Sequence, residues 1–452
     1  MIAQVLMLLI MGAGFVALVL GMARKPSIAV LVVLATEIIS RRFTLPLIPL
    51  GTLTVFAADL ATPALLAATV LRPYFGFRRR QISTPLLAIF LLASLSFVRG
   101  TRAFGLQIAG NGSREILAFS AAALFFSTVA ITPEFINAVR KWFVIASAAI
   151  TVAGIQFWIQ NGFGEFSAFG RRGLSGLEAL IVLLATILTI TVPYGRTRAQ
   201  NLMAPSIGFL VLLLSLQRSV AISGMVALIV VVVFGGRIRT RRSSRVTRVL
   251  LIVGGLAVGV LVLAGPSGLT SDLSTAVESS TTQEGTFSWR LEGWQVLIKS
   301  QLSGPVQHIL LGNPAGSGSA RMIGDTLVTV APHSMYVSMF QEVGIVGLAV
   351  MIWLLASMFR RNIVNLRSGL AFTAKAGLLV TTLLAALVTY FISYSSGLVA
   401  GLVVGLAASL AWFGAIDPEF EASQIQPAPI LPPVTPVPNQ LNLPHIDQPT
   451  LR

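Results

Sequence analysis

The 452-residue chain has no cysteine. Disulfides, thiolate chemistry and Cys-ligated metals are therefore excluded. Its only histidines are His308, His333 and His445, which argues against a His-rich metal site. No metal and no cofactor are expected. Charged residues make up 11% of the chain, where a soluble domain carries about 25%. Acid is the scarcer sign, with 16 Asp and Glu against 32 Lys and Arg, a net charge of +16. On a soluble protein this excess would suggest nucleic acid. Here the basic residues sit mainly in short links between apolar blocks, which is the positive-inside pattern of a membrane protein, so no nucleic-acid partner is expected. There is no internal repeat and no soluble nucleotide-binding motif.

What the chain does have is apolar length. Hydrophobic residues are 55% of it and the mean hydropathy is +0.85. The blocks fall near 2–22, 27–40, 52–71, 84–98, 115–131, 142–158, 175–193, 202–217, 220–235, 249–265, 334–358, 371–392 and 397–414. Most run to about 15–22 residues, the length a helix needs to cross a bilayer. The 27–40 block is short, so the expectation is an all-α, polytopic integral membrane protein of about 12–13 spanning helices. The segment from Met1 to Met22 has no basic residue before it, and Arg24-Lys25-Pro26 follows, so it reads as a first spanning helix rather than a cleaved signal peptide.

Arginine and lysine set the orientation. The run Arg237, Arg239, Arg241, Arg242, Arg245 and Arg248 is placed in the cytoplasm. Counting helices outward puts Arg72 with Arg78 to Arg80, Arg140-Lys141, Arg196 with Arg198, and Arg360-Arg361 with Arg367 inside as well. The stretch 266–332 then becomes a large extracytoplasmic loop, partly helical around Trp289 and Trp294, and loops this long are usually functional. Three regions result: N-terminal helices over 1–201, a region over 202–416 that includes the loop, and a Pro-rich cytoplasmic tail over 417–452 expected to be disordered. The expected location is a cytoplasmic (inner) membrane with the working face outside the cytoplasm.

Several arginines break the charge rule by landing outside: Arg41, Arg42, Arg99, Arg102, Arg114, Arg171, Arg172, Arg218 and Arg290. The planar guanidinium suits phosphate, because it donates paired hydrogen bonds and stays charged. Arg218 sits in a hinge of a few residues between two apolar helices, where a charge needs a partner or a polar cavity. His333 stands where the long loop re-enters the membrane, in Pro332-His333-Ser334-Met335-Tyr336, and is placed in the first turn of a helix. The helix dipole there would keep the imidazole neutral and able to take a proton. Glu342 lies further along that helix, with Gly344 and Gly347 suited to close packing. Asp59, Glu37 and Glu178 are the other candidate membrane carboxylates.

Three segments together resemble the O-antigen ligase and polymerase superfamily of envelope glycosyltransferases. They are SLQRSVAISG from Ser215, WRLEGWQVLIKSQLSGPVQHILLGNPAGSG from Trp289, and HSMYVSMFQEVGIVGLAVMIWLL from His333. Gln217 and Ser219 flank Arg218 where Ser and Gly are more usual, and Ser334 stands where Asn is common. The resemblance implies a GT-C-like, metal-independent, inverting glycosyltransferase. Its donor would be a polyprenyl-pyrophosphate-linked glycan (undecaprenyl pyrophosphate), and its acceptor a second glycan or a lipid of the envelope, making the chain a polymerase or a ligase. Arg218, Arg290 and His333 would be catalytic, and Arg171, Arg172, Arg321, Tyr336 and Glu342 would bind substrate. The competing reading is a transporter or flippase of polysaccharide or lipid-linked glycan.

Overall fold

The computed structural model describes residues 2–42, 48–50, 53–75, 83–161, 173–192, 205–212, 215, 217–235, 286–323, 326–329, 331–368 and 370–416. The 249–265 block, the first part of the long loop, the Arg237–Arg248 run, Arg171, Arg172 and the tail from 417 lie outside these residues.

Most apolar blocks form helices, as a chain in hydrocarbon must do to satisfy its own backbone. The order is α1 (Ile2–Arg24), α2 (Pro26–Arg42), α3 (Ala57–Leu71), α4 (Thr84–Phe104), α5 (Leu106–Ser127), α6 (Pro133–Asn161) and α7 (Gly176–Thr191). A helical stretch over 205–212 and a turn at Ser215 lead into α8 (Arg218–Gly235). The long loop contributes α9 (Thr286–Leu302) and α10 (Val306–Leu311) before α11 (Met335–Asn365), α12 (Ala371–Tyr390) and α13 (Leu398–Phe413). Among the described residues, Thr84–Phe104, Pro133–Gln160, Met335–Asn365 and Ala371–Tyr390 are long and apolar enough to cross a bilayer, and shorter apolar helices accompany them. The chain is a mainly helical integral membrane protein.

Two small hairpins depart from the all-α expectation. β1 (Ile48–Leu50) pairs antiparallel with β2 (Leu53–Val55), and β3 (Arg321–Ile323) pairs antiparallel with β4 (Thr326–Val328). The 52–71 block is therefore not helical throughout. Leu53-Thr54-Val55 suits a strand, and the helix starts only where Asp59 Oδ2 accepts a 2.8 Å hydrogen bond from the Phe56 amide.

The three other membrane carboxylates turn out to be helix-starting groups. Asp59 caps α3 and also takes a two-point contact from Arg114, at 2.7 and 3.1 Å. Glu178 and Ser175 form a reciprocal capping box on α7. Glu37 Oε1 accepts from the Leu398 amide at the start of α13 (3.1 Å). Negative charge is favoured at these ends by the helix dipole.

The helix ends sort into two sides. One side gathers Asp59 and Arg114, Glu37 and Leu398, and Ser96 with the loop residue Asn313. The other gathers Arg140, which donates to Val192 O (2.8 Å), Asn362 and Asn365, which donate to α13 carbonyls, and Arg361 over Trp412. The center is α5 against α13. In lipid such contacts gain by close packing rather than by burial from water, so small residues line them. A Cβ on Gly401 would sit 2.2 Å from Phe119 O, and one on Gly405 would sit 2.7 Å from Ala123 O.

Gly401→Val should therefore force α13 off α5 and destabilise the protein by about 2 kcal/mol or more. Thermal unfolding in detergent should show a clearly lowered midpoint. Gly12→Val, with nothing within 4 Å of the added Cβ, should leave it unchanged.

Candidate functional site

The site is built where the end of the long loop is pressed onto the helices. Segment 310–316 lies directly on them. Asn313 N donates to Gln341 O (2.6 Å), Ala315 N to Ser96 O (3.0 Å), Ser96 Oγ to Asn313 O (2.9 Å) and Arg99 to Gly312 O (3.0 Å). Gln301 of α9 clamps the segment from behind, donating to His308 O and Phe340 O. Facing it, α11 breaks at Gly344, whose φ of +70° and ψ of −172° are open to glycine but not to other residues. A Cβ there would meet Leu310 O at 2.3 Å. Gly344 is thus a break that lets the loop in, and the close packing expected of it is against the end of α10.

Beside this seam the structure brings together Arg290 from α9, Arg321 from β3, His333 before α11 and Tyr394 after α12. The Arg290 guanidinium lies 5.2 Å from the Tyr394 ring centroid and donates weakly to Ser393 O (3.4 Å), while its buried Nε has no hydrogen-bond partner. The His333 ring meets Tyr394 edge to face at 6.3 Å. Arg321 is buried, lies over the Trp289 ring at 5.8 Å and donates to Ser319 O (2.9 Å). Tyr394 OH donates to Gln217 Oε1 (3.1 Å), and Gln217 donates to Leu174 O (2.9 Å). This chain of bonds ties the cluster to the turn that begins α8, whose first residue is Arg218.

His333 is not in the first turn of α11, as its sequence position had suggested. The helix starts at Met335 with Ser334 as N-cap, and His333 precedes them with φ +52°. Positive φ is uncommon for a residue with a Cβ and marks a position held by its surroundings. Trp294 Nε1 donates to Pro332 O, and Met335 N donates to Phe391 O (2.9 Å), fixing both sides of it. Its pKa is lowered from the usual imidazole value, first by burial and then by the charges of Arg290 and Arg321. The neutral ring expected from the helix dipole is thus favoured by other causes.

Two cavities flank the cluster. One, of about 480 Å³, is lined by Glu37, Glu115, Glu342 and the glycine-rich 313–319 segment. The other, of about 820 Å³, is an apolar groove between α8, α11 and α12 that reaches from Tyr336 along α11 to Arg360 and Arg367.

Of the residues singled out in the sequence, Arg290, Arg321 and His333 converge. Tyr336 instead donates its hydroxyl to Val388 O (3.1 Å) at the head of the apolar groove. Glu342 lies in the other cavity. Arg171, Arg172 and the Arg218 side chain fall outside the described residues. Arg114 is paired with Asp59, and Arg99 holds the loop. Tyr394 and Gln217 were not singled out as site residues; the only trace of Tyr394 is its spacing of four from Tyr390, on which it stacks at 5.2 Å.

Residues 202–352 match the family model described as O-antigen ligase. The match runs from the stretch before α8 into α11 and makes this region similar to the O-antigen ligase family. No curated protein matches the chain.

A histidine-labelled sample followed by NMR should show His333, assigned by its loss in His333→Gln, titrating below pH 6.5. Arg290→Gln and Arg321→Gln should each raise its midpoint, because each removes a positive charge that opposes the imidazolium.

Proposed function

We propose that this O-antigen ligase-like chain transfers or polymerises a polyprenyl-pyrophosphate-linked glycan onto an envelope glycan or lipid. The observation that carries the reading is the convergence of Arg290, Arg321 and His333 at the loop–α11 junction, within or beside the matched region. The apolar groove ending at Tyr336 fits a polyprenyl tail, since it offers hydrocarbon along the depth of α11. The site side faces away from the cytoplasm, because Arg24, Lys25, Arg140, Lys141, Arg360, Arg361 and Arg367 collect at the opposite ends of the helices. The membrane is the cytoplasmic one.

In this reading an acceptor hydroxyl oxygen attacks the donor's anomeric carbon. The bond from that carbon to the phosphate oxygen breaks, and polyprenyl pyrophosphate leaves with the electron pair. The hydroxyl proton passes to the neutral His333 ring. Arg290 and Arg321 hold the pyrophosphate and offset the charge that grows on the leaving oxygen. Attack from the side opposite the leaving group inverts the anomeric center. Arg218, the first residue of α8, is the third cation of the set, and Arg171 and Arg172 bind the donor with it. No metal or cofactor is required, because two or three guanidinium groups supply the countercharge.

The test uses purified protein in nanodiscs with a polyprenyl-pyrophosphate-linked oligosaccharide and an envelope acceptor. The parent chain should consume the donor, and Arg290→Ala and His333→Ala should each lower turnover by at least about 100-fold. Longer lipid-linked products identify a polymerase, and consumption only with the envelope acceptor identifies a ligase. Movement of intact donor across the bilayer with no transfer would replace this reading with transport.

A further inference from the structure

The cavity on the other flank of the loop seam has the wrong charge for a pyrophosphate. Glu37, Glu115 and Glu342 line it, and the one arginine among its described lining residues, Arg114, is already paired with Asp59. Its volume of about 480 Å³ falls in the range of roughly 300–1,000 Å³ usual for small-molecule sites. Two of its lining residues, Ser40 and Glu342, each carry a buried oxygen, Oγ and Oε2, that makes no hydrogen bond. Such atoms are costly without a partner and are rare in folded proteins. Here they come from α2 and α11, separated by some 300 positions of sequence, and face one space. A donor–acceptor hydroxyl on one wall and a carboxyl on another are the groups that a polyol satisfies.

The cavity also adjoins the cluster. Pro332, immediately before His333, and Ser338, in the first turn of α11, belong to its wall. The 313–319 segment forms a further side with exposed backbone and small side chains, which lets a sugar ring approach closely.

We propose that this cavity is the acceptor subsite, taking the terminal sugar of a neutral glycan. Glu342 and Ser40 hydrogen-bond hydroxyls of that sugar, and another of its hydroxyls is presented to His333. This rests on the transferase reading above and assigns its two substrates to opposite flanks of the seam: the anionic donor to the arginines, the uncharged acceptor to the carboxylates. A terminal uronic acid would be repelled by Glu37 and Glu115.

Two-substrate kinetics tests this with the full chain in nanodiscs. The donor is the lipid-linked oligosaccharide, and the acceptors are alkyl-linked oligosaccharides that lack pyrophosphate and end in a neutral hexose or a hexuronic acid. Glu342→Gln keeps the side-chain shape but replaces the carboxyl by an amide, and should raise the KM for the neutral acceptor about tenfold while moving the donor KM less than threefold. Ser317→Trp, on the exposed part of the lining segment, should raise the same KM by filling space, without touching a buried group. The parent should favour the neutral acceptor over the acidic one. A parent that uses no acceptor overturns both readings. An active parent whose variants leave the acceptor KM unchanged, or shift the donor KM instead, overturns the subsite alone.

Discussion

The site depends on one strip of backbone-to-backbone contact. Segment 310–316 touches α4, α5 and α11 largely backbone to backbone, with the side chains of Ser96 and Arg99 bonding it as well. A Cβ on Gly100 would sit 2.1 Å from Ala315 O, one on Gly112 would sit 2.4 Å from Gly316 N, and one on Gly312 would sit 2.3 Å from Glu342 C. Contacts this close are rigid, because nothing in them can change rotamer. The loop carries α9 and the β3–β4 hairpin, and so Arg290 and Arg321. Its far end is His333. Fixing 310–316 on the helices therefore fixes cations, imidazole and cavity relative to one another, and Gln301 of α9, bonded to both His308 O and Phe340 O, locks the arrangement from the loop side.

The second consequence is a separation of charge across a short distance. Arg290 and Arg321 lie on the Tyr394 side of the seam, and Glu115 and Glu342 lie on the other. Direct pairing between these groups would be the cheaper arrangement for an empty scaffold, yet no ion pair joins them among the described residues. Arg290 spends its charge on a ring face and a weak carbonyl contact, and leaves Nε unpaired. An unpaired charge in a low-dielectric setting costs stability rather than adding to it. Asp59–Arg114 shows the alternative in the same protein: a two-point pair at the site's edge whose work is to hold α3 against α5.

The sequence carried the mainly helical membrane character and three of the cluster's members, Arg290, Arg321 and His333. Apolar runs of bilayer length and basic links need no knowledge of the fold, and the Arg290, Trp294 and His333 segments stand out by their resemblance to the O-antigen ligase and polymerase superfamily. What it hid depended on distant contacts. His333 looks helical from Ser334-Met335-Tyr336 alone, yet Trp294 and Phe391 hold its flanks and set the backbone at positive φ. Tyr336 looks like a site residue from adjacency, yet one residue step past Met335 turns its hydroxyl to Val388 O on α12. Asp59 and Glu178 look like membrane carboxylates in search of a role, and local capping supplies one. Glu342 and Ser40 meet only because α2 and α11 are neighbours of the same cavity, which no periodicity encodes.

The environment of His333 makes its basicity conditional. Burial and two neighbouring guanidinium charges hold the ring neutral, but they also make it a poor proton acceptor. A base so placed gains strength only when negative charge arrives to offset the arginines. On the transferase reading that charge is the donor's pyrophosphate, whose arrival lowers the local positive potential and raises the proton affinity of the ring. As the leaving group departs, charge on the pyrophosphate grows, and the imidazolium being formed is stabilised in the same step. Donor binding and acceptor activation would then be linked through the field at one histidine, without any movement of the rigid seam that holds it.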